Sequence, residues 1–91
     1  MTDLVVAESR ARQCAGGFLF AYQGASLEAY RRDLTQWFDW CATFDTDPLA
    51  ATRPLLQAWI ASLWEQKRAA ATVARKVSVV ARFYGYAADE E

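Results

Sequence analysis

Apolar side chains in this chain recur at steps of three and four rather than two, the spacing of one face of a 3.6-residue helix. The sharpest run is Thr72 to Ala87, TVARKVSVVARFYGYA, in which Val73, Val77, Val80, Phe83, Tyr84 and Ala87 make one stripe that should face a core. Arg75, Lys76, Ser78 and Arg82 fall between them. With Lys67 and Arg68 upstream they belong to a stretch, Gln66 to Ala88, that holds no acid. That side is expected to face an anion, although the same pattern fits a core helix with a solvated basic back.

The pattern repeats in Ser26 to Cys41, SLEAYRRDLTQWFDWC, where Leu27, Tyr30, Leu34, Trp37, Phe38 and Cys41 form the stripe and Arg32, Thr35 and Asp39 lie opposite. Ser26 is placed to cap this helix, and Glu28 to favour its positive end and pair with Arg31 or Arg32. Asp45-Thr46-Asp47-Pro48 ends it, because proline pushes the residue before it out of the helical region. A third helix follows Thr52, its candidate cap, with Pro54 tolerated in the first turn. Its wide apolar face, Leu55, Leu56, Trp59, Ile60, Leu63 and Trp64, predicts packing on more than one neighbour.

Two boundaries are less well marked. Ala69-Ala70-Ala71 would carry the third helix onward by propensity, but a single rod from Arg53 to Ala88 would be about 54 Å long, too long for a compact domain of this size. A tight break is therefore placed at Gln66 to Ala70. At the N-terminus, Leu4, Ala7, Ala11, Cys14, Phe18 and Tyr22 keep a helical step, with Asp3 as a cap. Gly16-Gly17 should interrupt it, leaving 1–14 partly ordered and a firmer turn or two from Ala15 to Tyr22 that docks Phe18, Leu19 and Phe20. A weak echo at an offset of 46 matches Ala25-Ser26-Leu27, Leu34, Trp37-Phe38 and Trp40 to Ala71-Thr72-Val73, Val80, Phe83-Tyr84 and Tyr86, which a shared packing pattern accounts for as well as duplication does.

Composition narrows the class. Alanine is the commonest of the 91 residues, at 18, while glycine and proline number 4 and 2. Helix formers therefore dominate, and the expected fold is all-α, a compact single-domain bundle of about four helices. The net charge of −1 conceals an asymmetry: residues 1–52 sum to −3, 53–88 to +5, and Asp89-Glu90-Glu91 to −3. Cys14 and Cys41, far apart and without any histidine, suit free buried thiols in a reducing cytosol better than a metal site or a disulfide framework. No apolar run approaches a membrane span and no basic leader precedes Leu4-Val5-Val6, so a cytoplasmic protein is expected.

Enzymatic signatures are missing: no histidine for acid–base work, no glycine-rich phosphate loop, no CxxC. Of the four tryptophans, Trp37, Trp59 and Trp64 fall on apolar stripes and are expected in the core. Trp40 lies off the main stripe and is the candidate for stacking on a base. The basic segment has a more definite use. A helix N-terminus offers unpaired N–H groups and partial positive charge, Thr72 adds a hydroxyl, and Arg75 and Lys76 one turn in would complete a phosphate cradle.

The two quoted helices, Ser26 to Cys41 and Thr72 to Ala87, together with the intervening L-x-x-W-I-x-x-L helix, resemble the signature helices of the N-terminal core-binding domain of tyrosine recombinases, the phage integrases. The resemblance covers about residues 15–88. It implies a SAM-like bundle of two crossed helical hairpins that forms half of a clamp around double-stranded DNA, with other recombinase protomers as partners on that DNA. It also implies that a catalytic half follows a linker beginning at 89–91 and that this domain carries no catalytic residue; no cofactor or metal is expected. Carried over residue by residue, the DNA-facing positions are Ser26 and Arg31 on the first signature helix and Thr72, Arg75 and Lys76 on the last; the basic run adds Lys67, Arg68 and Arg82. The chain departs from the family in having Ala69, which has no side-chain acceptor, where a capping residue usually precedes the last helix, and in its acidic first half. The alternative from another class is a helical interaction or self-association module, the isolated domain otherwise being a monomer.

Overall fold

The computed structural model describes residues 2–90, with side chains from Arg10 onward. The expected partial order of 1–14 and the Asp3 cap fall largely outside those side chains. Four α-helices follow one another: α1 (Thr2–Leu19), α2 (Gly24–Thr43), α3 (Arg53–Glu65) and α4 (Ala70–Asp89), with a short 3-10 turn, Pro48–Ala50, between α2 and α3. There is no strand among the described residues. The all-α expectation holds, and α2 and α4 begin and end 46 residues apart, so the internal echo describes two helices of equal length.

α4 is the central rod. It packs against α1, α2 and α3, and its buried set is Val73, Lys76, Val79, Val80, Phe83 and Ala87. The predicted stripe is thus widened by Val79 and, unexpectedly, by Lys76. From α2 come Leu34, Trp37 and Cys41, from α3 Trp59 and Leu63, and from α1 Phe18. Aromatic contacts knit these layers: Phe83 lies edge-on 6.2 Å from Phe18 and 5.6 Å from Phe38, and Trp37 lies tilted 5.3 Å from Trp59. Such pairs contribute about 0.5–1.5 kcal/mol each beyond the area they bury.

α1 runs straight through Gly16-Gly17 instead of breaking there. The reason is tertiary: a Cβ at Gly17 would collide with the Tyr86 hydroxyl of α4, so this glycine makes room for the Tyr86 side chain against α1, while Gly16 has nothing near it. Packing gained at Gly17 outweighs the propensity lost. α2 begins two residues before the expected Ser26 cap. Gln23 is the cap residue and offers no side-chain bond, and Gly24, at φ +63°, supplies the left-handed entry that other residues avoid.

Two helices stop without a glycine. At the end of α2, Thr46 N–H donates to the Cys41 carbonyl and Asp45 N–H to Ala42; at the end of α3, Arg68 N–H donates to Leu63 and Lys67 N–H to Trp64. Both are Schellman closures. The left-handed position in each is filled by a residue other than glycine, Asp45 at φ 49° and Lys67 at φ 58°. Thr52 precedes α3 as expected but makes no side-chain cap bond. Asp47 does cap, its Oδ1 accepting from Leu49 N–H at 3.0 Å to start the 3-10 turn. Tyr84 of α4 ties that turn down by donating to the Pro48 carbonyl and accepting from Trp37 Nε1 at 2.9 Å.

The thiols are free, Cys41 buried and Cys14 half-buried. Burial, with help from Asp47, pushes Cys41 up to about 12. It is therefore an inert core residue.

Candidate nucleic-acid interface

The Schellman turn between α3 and α4 sets out two adjacent exposed cations of the basic half. Lys67 and Arg68 both stand in solvent, and Arg68 Nε makes only a long 3.4 Å contact to Gln66. Directly after them α4 opens at Ala69, which provides no side-chain acceptor, and no acid lies in its first turn. Two cations therefore sit beside the positive end of a 20-residue helix, where they oppose its dipole instead of complementing it. That arrangement attracts an anion and does little for the fold. Thr72, in the same first turn, is half-buried.

One turn further on, the expected cradle is rearranged. Lys76 is 2% exposed and does not face solvent. Its Nζ donates to Asp33 Oδ1 at 2.8 Å and to Gln36 Oε1 at 2.6 Å, both on α2. Arg75 grips the same carboxylate sideways, Nε to Oδ2 at 2.9 Å and Nη2 to Oδ1 at 3.1 Å. Asp33 is fully buried, whereas the Arg75 side chain remains 38% exposed. The anion met by Lys76 is thus internal, and its assignment as a DNA-facing residue is corrected. The reason is positional: Lys76 stands at the three–four spacing between Val73 and Val80, inside the core stripe, where an unpaired ammonium would be very costly.

Burial alone would push the Asp33 carboxyl up, but hydrogen bonds from Arg75 and Lys76, with their charges, hold it below the usual carboxylate range. The Asp33 hydrogen bond in turn raises the Arg75 guanidinium, against a smaller opposing effect of burial. Among the described residues these are the two ion pairs present, so Glu28 is not bridged to Arg31 or Arg32.

Arg82 lies two turns beyond Arg75 on the same side of α4. It is exposed, bonds Ser78 Oγ through Nη2 at 3.1 Å and lies 5.6 Å from the Tyr30 ring centre. The nearby Tyr22 and Tyr30 hydroxyls raise its guanidinium above the ordinary value. Ser26 is exposed in the first turn of α2. Arg31 is exposed too, but two residues from Asp33 means about 200° around the helix. It lines the cleft between α1 and α2 with Leu34 and Phe38, away from the mouth of α4. Lys67, Arg68, Thr72 and Arg75 thus form one group near the start of α4, Arg82 extends it, and Arg31 stands apart.

The sequence profile of the phage integrase N-terminal SAM-like domain matches residues 21–91, more than three quarters of the chain. The chain belongs to that family. No curated protein and no solved structure gives a significant match. The bundle of this integrase domain agrees with the family's all-α SAM-like fold, and the contacts between its signature helices do not advance in step: Tyr30 meets Arg82, Asp33 meets Arg75 and Lys76, and Trp37 meets Tyr84. α2 and α4 therefore cross.

Asp33 and Gln36 were not among the expected site residues of the integrase domain. A signal for Asp33 existed: it falls between Tyr30 and Trp37 at helical spacing, as Lys76 falls between Val73 and Val80, so each apolar stripe carries one charge of opposite sign. The tryptophans divide differently from expectation. Trp37 and Trp59 are buried, but Trp64 is 51% exposed. Trp40, the candidate for stacking, is half-buried against Phe44 and donates Nε1 to the Leu55 carbonyl at 3.1 Å.

Proposed function

We propose that this integrase domain holds double-stranded DNA for a tyrosine recombinase, so that a catalytic domain joined to it meets the crossover site in the host cytoplasm alongside other protomers. The reading rests on one observation above all: Lys67 and Arg68 stand exposed at the uncapped positive end of α4 in a domain of the integrase family. Arg75 adds an exposed guanidinium edge and Arg82 a further cation, while Ser26, Thr72 and Arg31 are secondary contacts to the sugar–phosphate backbone. Lys76 has no part in direct contact. A helix end fits the major groove, where phosphate contacts set register before any base is read. No helix among the described residues is long and apolar enough to cross a membrane.

The test is Lys67→Ala with Arg68→Ala. Both side chains are exposed, so the fold should hold, and removing two phosphate contacts should weaken duplex binding at least tenfold and make the log–log salt slope shallower by about 1.8. Unchanged affinity in the folded double variant would contradict the reading. The second reading, a protein-interaction or self-association module, is favoured by Phe20, which does not dock with Phe18 as expected but is 90% exposed at the end of α1. The same double variant should leave such association intact.

A further inference from the structure

Asp33, Arg75, Lys76 and Gln36 make a buried group of two cations on one carboxylate. Its formal charge is +1. Lys76 and Asp33 are sealed at 2% and 0% exposure, so the excess charge meets the outside only through Arg75. The side-on grip uses Arg75 Nε and one Nη2 proton, and no other Arg75 hydrogen bond occurs among the described residues. Both Nη1 protons and the second Nη2 proton remain, along the end-on edge of the guanidinium. That edge matches the spacing of two phosphate oxygens.

We infer that Asp33 is a positioning residue for nucleic-acid phosphate: it fixes Arg75 side-on so that the end-on edge is presented outward, while buried Lys76 keeps the group cationic without touching the ligand. This rests on the DNA-holding reading above and deepens it. A lone Arg–Asp pair at this site would be neutral and would repel phosphate through the carboxylate nearly as much as it attracts through the guanidinium. Lys76 removes that compensation. The free arginine of an ordinary basic face must also order its side chain on binding, whereas this one is already ordered. Gln36, accepting from Lys76 Nζ, satisfies the ammonium where Asp33 alone leaves donors over.

Two variants of the 91-residue chain separate charge from position. Lys76→Met keeps a side chain of similar length in the core and keeps the Arg75–Asp33 grip, but makes the group neutral. Lys76→Met combined with Asp33→Asn restores +1 and removes the carboxylate that sets the fork. Circular dichroism checks the fold, and binding is measured on a short duplex at two salt concentrations. Lys76→Met should weaken binding about fivefold through the lost charge. The double variant should be about tenfold weaker than wild type despite its equal charge.

Wild-type affinity in both folded variants overturns the inference. Weakening in Lys76→Met with full recovery in the double variant leaves charge alone at work and overturns the positioning role. Weakening in the double variant alone overturns the role given to Lys76. Failure of the wild type to bind removes the DNA-holding reading, and this inference with it. Should a variant not fold, nitrogen-15 NMR of the wild type decides. The Arg75 Nε–H should exchange slowly in the free domain, and its Nη protons should slow only on adding duplex; a rapidly exchanging Nε–H would contradict the fixed fork.

Discussion

A single buried carboxylate, Asp33, governs two cations, and its removal is the most damaging single change foreseen in the chain. Asp33→Ala leaves the ammonium of Lys76 in the core without a counter-charge, and losing one partner of a buried pair costs about 3–5 kcal/mol. A urea midpoint at neutral pH should fall accordingly, by far more than Lys76→Met lowers it. Acid should have a related effect. The folded Asp33 carboxyl lies below its ordinary value of 3.8, so its contribution is complete above that value and is lost as the pH falls toward the folded one. Stability measured at descending pH should decline more steeply below about pH 4 in the wild type than in Asp33→Asn. Neither charge stood out as a core residue in the sequence, because stripes are traced through apolar positions and both were passed over. Their pairing is a property of two helices that cross, and it follows from spacing only once Val73, Lys76 and Val80 are seen as one face.

At the scale of elements, helices were legible and their ends were not. The stripes of α2, α3 and α4 stand out in the sequence because burial follows helical spacing, but Lys67 and Asp45 close two helices in the left-handed region without the glycine that ordinarily marks such a stop. Length alone locates the break between α3 and α4 to within a residue, since a straight rod would not fit the domain. Gly16-Gly17 misled in the opposite direction, because a glycine that weakens an isolated helix can be what allows it to pack. Alanine at the two positions should therefore act with opposite sign. Gly16→Ala meets nothing and should stabilise by about 0.5–1 kcal/mol, whereas Gly17→Ala must displace the Tyr86 ring and should destabilise. Thermal unfolding of the pair reads this directly. Ala69, extended at φ −61° and ψ 144°, is already in the geometry of a cap. Ala69→Ser should add about 1 kcal/mol and raise the melting temperature by roughly 4–8 °C.

For the molecule as a whole, the charge asymmetry along the sequence carries only partly into space. Lys67 and Arg68 stand exposed where α3 hands over to α4, whereas the cleft between α1 and α2 is bordered by Asp39, Asp45 and Asp47 together with Arg12 and Arg31. The fold and the family were legible in two helical patterns at their spacing, but the membership of the site was only partly so. Exposure of Lys67 and Arg68 depends on a turn, the loss of Lys76 on a partner 43 residues away, and the separation of Arg31 on helix rotation. In the function proposed above, the domain grips duplex DNA electrostatically through the α4 end. The most direct measurement is the affinity of the 91-residue domain for a short duplex as salt is raised. The expected result is a linear fall of log affinity against log salt with a slope of about −3.6, for four phosphates neutralised by Lys67, Arg68, Arg75 and Arg82. Binding that ignores salt, or no binding at low salt, would contradict it.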